Sequence, residues 1–253
     1  MPFEIVTVPC LSDNYAYLIK GPDGVAVIDA PEAAPIVDAL ETRGWKPGVV
    51  LITHHHGDHV AGVDALRKRY GCEVMGPKAE ADKLPALDRA LAEGETLGTG
   101  EGRMVTRAVP GHTLGHVAFH YPQAHAIFSG DSLMALGCGR VFEGTMAMMW
   151  DTMQVFLALP DDTQVYSGHE YTASNARFAL TIEPDNADLQ ARAADIARRR
   201  DLGQPTVPAS IGLEKATNPF LRAGLQRVKQ CLGMADASDA ATFAEIRARK
   251  DTF

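Results

Sequence analysis

The chain has 253 residues, 46% of them hydrophobic and 22% charged, a composition that gives a globular protein ample material for a core. A formal charge of −8 opposes non-specific binding to nucleic acid or to an anionic membrane surface. No apolar run approaches the roughly 20 residues of a membrane span, and Met1-Pro2-Phe3-Glu4 lacks the basic start and apolar stretch of a signal peptide, so a cytoplasmic monomer without nucleic-acid or membrane partners is expected.

In chain order, short β-rich runs punctuated by Gly, Pro and Asp predict strands at Glu4 to Val8, Tyr15 to Lys20, Val25 to Asp29, Val49 to Thr53, Glu73 to Met75, Met104 to Val109, Val117 to Tyr121, Ala126 to Ser129 and Gln164 to Ser167. Apolar spacings of three and four predict helices between them at Ala33 to Arg43, Val60 to Tyr70 and Met146 to Leu159. Helices interleaved with strands imply α/β layers holding more than one sheet. After Glu170 strand signals stop: Ala173 to Ile182, Asn186 to Arg200, Leu221 to Leu232 and Ala240 to Lys250 read as helices, with an extended connector from Gly203 to Pro208. Pro184-Asp185-Asn186 supplies a break and a cap, and Ser238 or Asp239 can cap the last helix. The expected domains are therefore 1–169, α/β, and 170–253, helical. Cys10, Cys72, Cys138 and Cys231 lie far apart with no Cys-x-x-Cys pair, as expected of buried free thiols.

The chemistry begins after the apolar run Val49-Val50-Leu51-Ile52, in Thr53-His54-His55-His56-Gly57-Asp58-His59. Alternate residues of an extended segment project to one side, so His54 and His56 can share a metal ion, while Asp58 and His59, beyond Gly57, can serve a second ion. Two ions need more donors than this loop holds. His112 in Pro110-Gly111-His112-Thr113, Asp131 in Ser129-Gly130-Asp131 and His169 in Ser167-Gly168-His169 each follow a predicted strand and a glycine that lets the backbone turn sharply. Four strand ends thus offer seven ligands: His54, His56, Asp58, His59, His112, Asp131 and His169. His55 faces away as a spacer, and His120 and His125 have ordinary structural places. His116 is either a neighbour of the ligands or structural, and Asp29 either orients a ligand imidazole or begins a turn.

Assembled, these residues resemble the metallo-β-lactamase-fold hydrolases and, within them, the glyoxalase II (hydroxyacylglutathione hydrolase) family. Further matches are Leu11-Ser12-Asp13-Asn14-Tyr15, Gly137-Cys138-Gly139-Arg140, Gly168-His169-Glu170-Tyr171-Thr172, Asn218-Pro219-Phe220-Leu221-Arg222 and the terminal Arg247-Ala248-Arg249-Lys250-Asp251-Thr252-Phe253. The resemblance implies an αββα sandwich followed by a helical substrate domain. It implies a first metal held by His54, His56 and His112, a second by Asp58, His59 and His169, with Asp131 bridging both. Zinc is the expected metal, with iron or manganese compatible. Arg140, Phe142, Tyr171, Arg247 and Lys250 stand where the family holds glutathione, Phe142 replacing a tyrosine. The segment from Asn218 onward carries six basic against four acidic residues, leaving −10 for the remainder, and such a basic end suits the carboxylates of glutathione. Arg247 and Lys250, three apart, share a helix face able to clamp one carboxylate.

No Gly-x-Ser-x-Gly motif is present, and Cys138 has no base partner in sequence. The expected nucleophile is a hydroxide bridging the two ions, positioned by Asp58 and Asp131, acting on S-(2-hydroxyacyl)glutathione and above all S-(R)-lactoylglutathione. The alternatives are a glutathione persulfide dioxygenase using one iron and, more remotely, a non-catalytic metal- or glutathione-binding module.

Overall fold

The computed structural model describes residues 3–253. One compact unit runs to Val109 and resumes over Thr113–Gly130; the other takes Pro110–His112 and Asp131–Phe253.

In the first unit, β1 (Glu4–Cys10), β2 (Asn14–Gly21) and β3 (Gly24–Ile28) form an antiparallel meander. The chain then crosses over through α1 (Ala33–Thr42), so β4 (Val49–Leu51) pairs parallel with β3. After α2 (Gly57–Val60) and α3 (Val63–Tyr70), β5 (Glu73–Pro77) and β6 (Arg89–Leu91) extend the parallel half, giving the order β1-β2-β3-β4-β5-β6. β7 (Thr96–Leu97), β8 (Met104–Ala108), β9 (Val117–Tyr121) and β10 (Ala126–Gly130) are successive antiparallel neighbours in a second sheet. The period-2 rule divides β2 between two cores. Ala16 and Leu18 join Ile36 and Leu40 of α1 and Val63 and Leu66 of α3 in the helix-side core, whereas Tyr17 faces the second sheet, its ring 5.4 Å from Phe128.

The second unit contains β11 (Leu133–Met134), β12 (Gly137–Cys138), α4 (Met146–Leu157), β13 (Gln164–Ser167), α5 (Thr172–Ile182), α6 (Ala187–Asp201), β14 (Ala209–Ser210), α7 (Ile211–Thr217), α8 (Gln226–Cys231) and α9 (Asp239–Asp251). α5 and α6 close on Ala176, Ala179, Leu189 and Ile196, with Leu136 from the β11–β12 hairpin filling the same cluster. The expected caps are present: Asn186 accepts from Leu189 N at 3.2 Å, and Ser238 from Ala241 N at 3.2 Å.

The packing boundary falls at Gly130, ahead of the expected division after His169, because residues 131–169 pack on the helical end. Trp150 of α4 meets Phe243 of α9 at 5.8 Å, and Asn218 Nδ2 donates to the carbonyls of Met134 and Gly137 at 3.2 and 3.0 Å. Some expectations for single elements and for Cys231 need correction. The helix expected from Val60 is broken at Ala61 and Gly62, and of Leu221 to Leu232 only Gln226–Cys231 is helical. β6, β7, β11, β12 and β14, two or three residues each, are too short to leave a period in sequence. The unexpected helix α7 contains Gly212, a weak helix former, and is held by the Ser210 cap. Cys231 is exposed, unlike the other three thiols.

Candidate metal centre

The first unit carries the His-x-His-x-Asp-His run at the C-terminal end of β4, an interior strand. His56 lies on extended chain, but Asp58 and His59 occupy the first turn of α2 rather than a simple turn. Asp29 orients this run and also ends its own strand, in a left-handed conformation at φ 54°. Its carboxylate accepts from Thr53 N and Thr53 Oγ1, each at 2.8 Å, and lies 2.8 Å from His59 Nδ1. A carboxylate accepts only, so His59 Nδ1 bears the proton and Nε2 presents a lone pair, 3.9 Å from Asp58 Oδ2. Thr53 spends its own proton on Asp29 and therefore accepts from His54 Nδ1 at 3.0 Å. His54 Nε2 is left as a lone pair facing His56 Nδ1 at 3.1 Å. His116, fully buried, stacks on His54 with ring centroids 4.5 Å apart, so it neighbours that candidate ligand. His55 does not face away as a spacer: its ring lies 5.0 Å from that of His56 and its Nδ1 2.8 Å from Glu80 Oε2.

The second unit repeats the pattern. His112 Nδ1 donates to the Arg140 carbonyl at 2.7 Å, which leaves Nε2 as a lone pair 3.5 Å from Asp131 Oδ2. His169 Nε2 lies 3.2 Å from the same oxygen. The His112 lone pair and the Asp131 carboxylate are acceptors facing one another, and at this range they repel unless a cation stands between them. Imidazole nitrogen and carboxylate oxygen are the donors divalent ions of the zinc type take, so both clusters fit divalent metal ions. The glycines before the ligands do not act alike: Gly111 and Gly130 take positive φ, 140° and 49°, whereas Gly168 does not.

All five residues expected to hold substrate lie in the second unit. The Tyr171 ring stacks on His169 at 4.6 Å, and Phe142 lies 5.3 Å from the His112 ring with the Arg140 guanidinium 5.5 Å over its face. Phe142 is 61% exposed and Tyr171 40%. Lys250 is half-buried over Phe178 and Phe253, and burial, followed by the charges of Arg247 and Arg177, lowers its pKa. Arg247 is not an open clamp. It is buried, donating to the Cys138 carbonyl at 2.9 Å and, from Nε and Nη2, to Asp251 at 3.2 and 3.0 Å. Burial also pushes the Cys138 thiol up to about 11, against the pull of Arg247, which disqualifies it as a nucleophile near neutral pH.

Sequence reasoning assigned no role to Thr53 or Asn14. Thr53 carries no signal beyond its place beside His54; Asn14 lies in the quoted Leu11–Tyr15 motif, and its Nδ2 donates to Asp58 O and Oδ2 at 3.0 and 3.1 Å.

Restoring the hydroxyl with Phe142→Tyr, on a ring beside His112 and Arg140, is expected to lower KM for a glutathione thioester about fivefold, the worth of one added hydrogen bond of ~1 kcal/mol. Steady-state kinetics of the two proteins check it, with kcat expected to stay within about twofold.

Two family descriptions match the chain: "Metallo-beta-lactamase superfamily" over residues 12–169 and "Hydroxyacylglutathione hydrolase C-terminus" over residues 170–253. A hydroxyacylglutathione hydrolase of Ruegeria pomeroyi is 57% identical over all of both chains, and one of Rhizobium meliloti is 50% identical over 96% of each. Among solved structures, TTHA1623 in a di-iron-bound form superposes with a TM-score of 0.65 at 26% identity, covering 86% of this chain and 100% of that one. ETHE1 from Myxococcus xanthus, TM-score 0.68 at 24% identity over 98% of this chain and 90% of that one, shares the fold. By its sequence relatives, its metallo-β-lactamase fold and its metal-ligand clusters, the chain belongs to the hydroxyacylglutathione hydrolase family of the metallo-β-lactamase superfamily.

Proposed function

We propose that this chain hydrolyses S-(2-hydroxyacyl)glutathione, with S-(R)-lactoylglutathione as its principal substrate, to glutathione and a 2-hydroxy acid. The observation that carries the reading is the convergence of His112 Nε2 and His169 Nε2 on Asp131 Oδ2 at 3.5 and 3.2 Å, in the same unit as the cationic and aromatic residues Arg140, Phe142, Tyr171 and Lys250. The names of relatives identical at half or more of their positions support it.

His54, His56 and His112 would hold one ion, Asp58, His59 and His169 another, and Asp131 both; zinc suits these donors best, with iron and manganese compatible. Divalent ions held there supply the Lewis acidity that brings the pKa of water toward neutrality and favours negative charge on a carbonyl oxygen. Asp58 and Asp131 orient the attacking water. Arg140 and Lys250 attract the carboxylates of glutathione, and the Tyr171 phenol hydrogen-bonds its peptide part. The carbon–sulfur bond breaks with its electron pair on sulfur. A thiolate whose acid has a pKa of about 8.5 leaves without a strong general acid, so none is required of this chain.

Residues 1–169 would carry the chemistry and 170–253 would form the helical substrate-binding domain, with Arg140 and Phe142 of the first adding to the glutathione contacts, in a cytoplasmic monomer. No helix among the described residues is long and apolar enough to cross a membrane.

Metal analysis of the purified protein, paired with the loss of lactoylglutathione absorbance, tests the proposal. The expected result is two ions per chain, turnover abolished by a chelator, and recovery on adding zinc. A fully metallated protein that leaves lactoylglutathione untouched would overturn the reading, and oxygen uptake with one iron per chain would replace it with persulfide oxidation.

A further inference from the structure

Glu80 lies in a short turn after β5, in the charged stretch Lys78-Ala79-Glu80-Ala81-Asp82-Lys83, yet it is only 1% exposed. Each of its carboxylate oxygens binds a different segment of the first unit. Oε2 accepts from His55 N at 3.0 Å and lies 2.8 Å from His55 Nδ1, so it holds both the backbone and the ring of the residue between His54 and His56. Oε1 accepts from Gly115 N at 2.8 Å. The approach there is close enough that a Cβ on residue 115 would come within 2.6 Å of Glu80 Cγ. The next residue, His116, is the ring stacked on His54, and Val117 N donates to the Thr53 carbonyl at 2.9 Å.

We propose that Glu80 is a positioning residue that sets the aim of the His54 and His56 imidazoles, an inference that rests on the metal role given to those two residues above. The His55 ring lies edge-on to the His56 ring, with centroids 5.0 Å apart. Rolling this segment about its own axis is the motion that would swing His54 and His56 away from a shared ion. Holding His55 at both its N–H and its ring stops the roll and fixes the ring packed on His56. The same carboxylate anchors the turn that presents His116 to the face of His54, so one buried group fixes the pair through two neighbouring rings, His55 against His56 and His116 against His54. A glutamine in its place has the same shape but one acceptor oxygen. Its NH2 group would confront the N–H of either His55 or Gly115, and one of the two anchors is lost.

The test is zinc affinity, measured by competition with a chromophoric chelator, on wild type and Glu80→Gln, together with thermal melting of the metal-free forms and steady-state kinetics. The expected result is a zinc dissociation constant raised about 10- to 100-fold in Glu80→Gln. kcat at subsaturating zinc should fall alongside, and KM for lactoylglutathione should stay within about twofold. Should the glutamine variant fail to fold, His55→Ala removes only the ring contact and is expected to weaken zinc several-fold. Wild-type zinc affinity in Glu80→Gln, or in His55→Ala where that variant stands in, overturns the positioning role and leaves the proposed function intact. A wild-type protein that binds no zinc, iron or manganese overturns both.

Discussion

Asp131→Ala is expected to lower kcat/KM for lactoylglutathione by about 10³-fold, close to 4 kcal/mol of transition-state stabilisation. The Asp131 side chain is 8% exposed, and one of its oxygens lies 3.2 Å from His169 Nε2 and 3.5 Å from His112 Nε2. Removing it deletes the anionic donor shared by two imidazoles and the group expected to orient water, so the metal content should fall below two per chain. Asp131→Asn separates these roles. Its NH2 group can donate to the His112 Nε2 lone pair, so the metal-free variant should melt at or above the temperature of metal-free wild type even though turnover is lost, a trade of stability against function. Metal content, metal-free melting and kcat/KM measured on the three proteins check this. Wild-type turnover in either variant would remove Asp131 from the mechanism.

The largest effect on stability is expected from Glu214→Ala, about 3–5 kcal/mol, equivalent to a fall of roughly 10 °C in melting temperature. Glu214 is 1% exposed and accepts from Arg192 Nη2, from Leu136 N at 2.9 Å and from Asn218 Nδ2 at 3.0 Å. Alanine would strand a guanidinium whose side chain is 6% exposed. The effect should reach substrate binding as well, because Leu136 and Asn218 hold the β11–β12 hairpin, which links Asp131 to Arg140. Replacing both charges at once, as Arg192→Met with Glu214→Leu, should restore part of the loss, since an uncompensated buried charge costs more than an apolar pair. Urea denaturation of the single and double variants measures it. A single variant within about 0.5 kcal/mol of wild type would show the pair to be dispensable.

Much of this architecture was legible before folding because the signals are local. The β-branched run Val49–Leu51 and the alternating histidines after it are contiguous, and a strand delivering ligands needs nothing from elsewhere in the chain to be recognised. His112, Asp131 and His169 were legible as candidate ligands for the same reason, each following a strand run and a glycine. Asn186 and Ser238 announced their caps through side-chain chemistry that acts within three residues. The helix over Leu221 to Leu232 misled because its apolar spacing continues through Gly224, while the backbone begins its helix only at Gln226.

Residues whose work depends on partners far along the chain were decided by the fold. Asp29 could be a turn residue or an orienting one, and the sequence left both open; three contacts from Thr53 and His59, 24 and 30 residues away, make it an orienting one. Glu80 stands among lysines and aspartate, where the sequence signal is that of a solvated loop, and only tertiary packing buries it against His55 and Gly115. Arg247 reads as a helix-surface cation, yet the Cys138 carbonyl 109 positions earlier draws it inside. The kinds of atoms available for metal and glutathione, and their spacing along strand ends, are thus properties of this chain's local sequence. Which nitrogen of each imidazole keeps its proton, and which charges are buried, depend on hydrogen bonds and burial that exist only once distant segments meet.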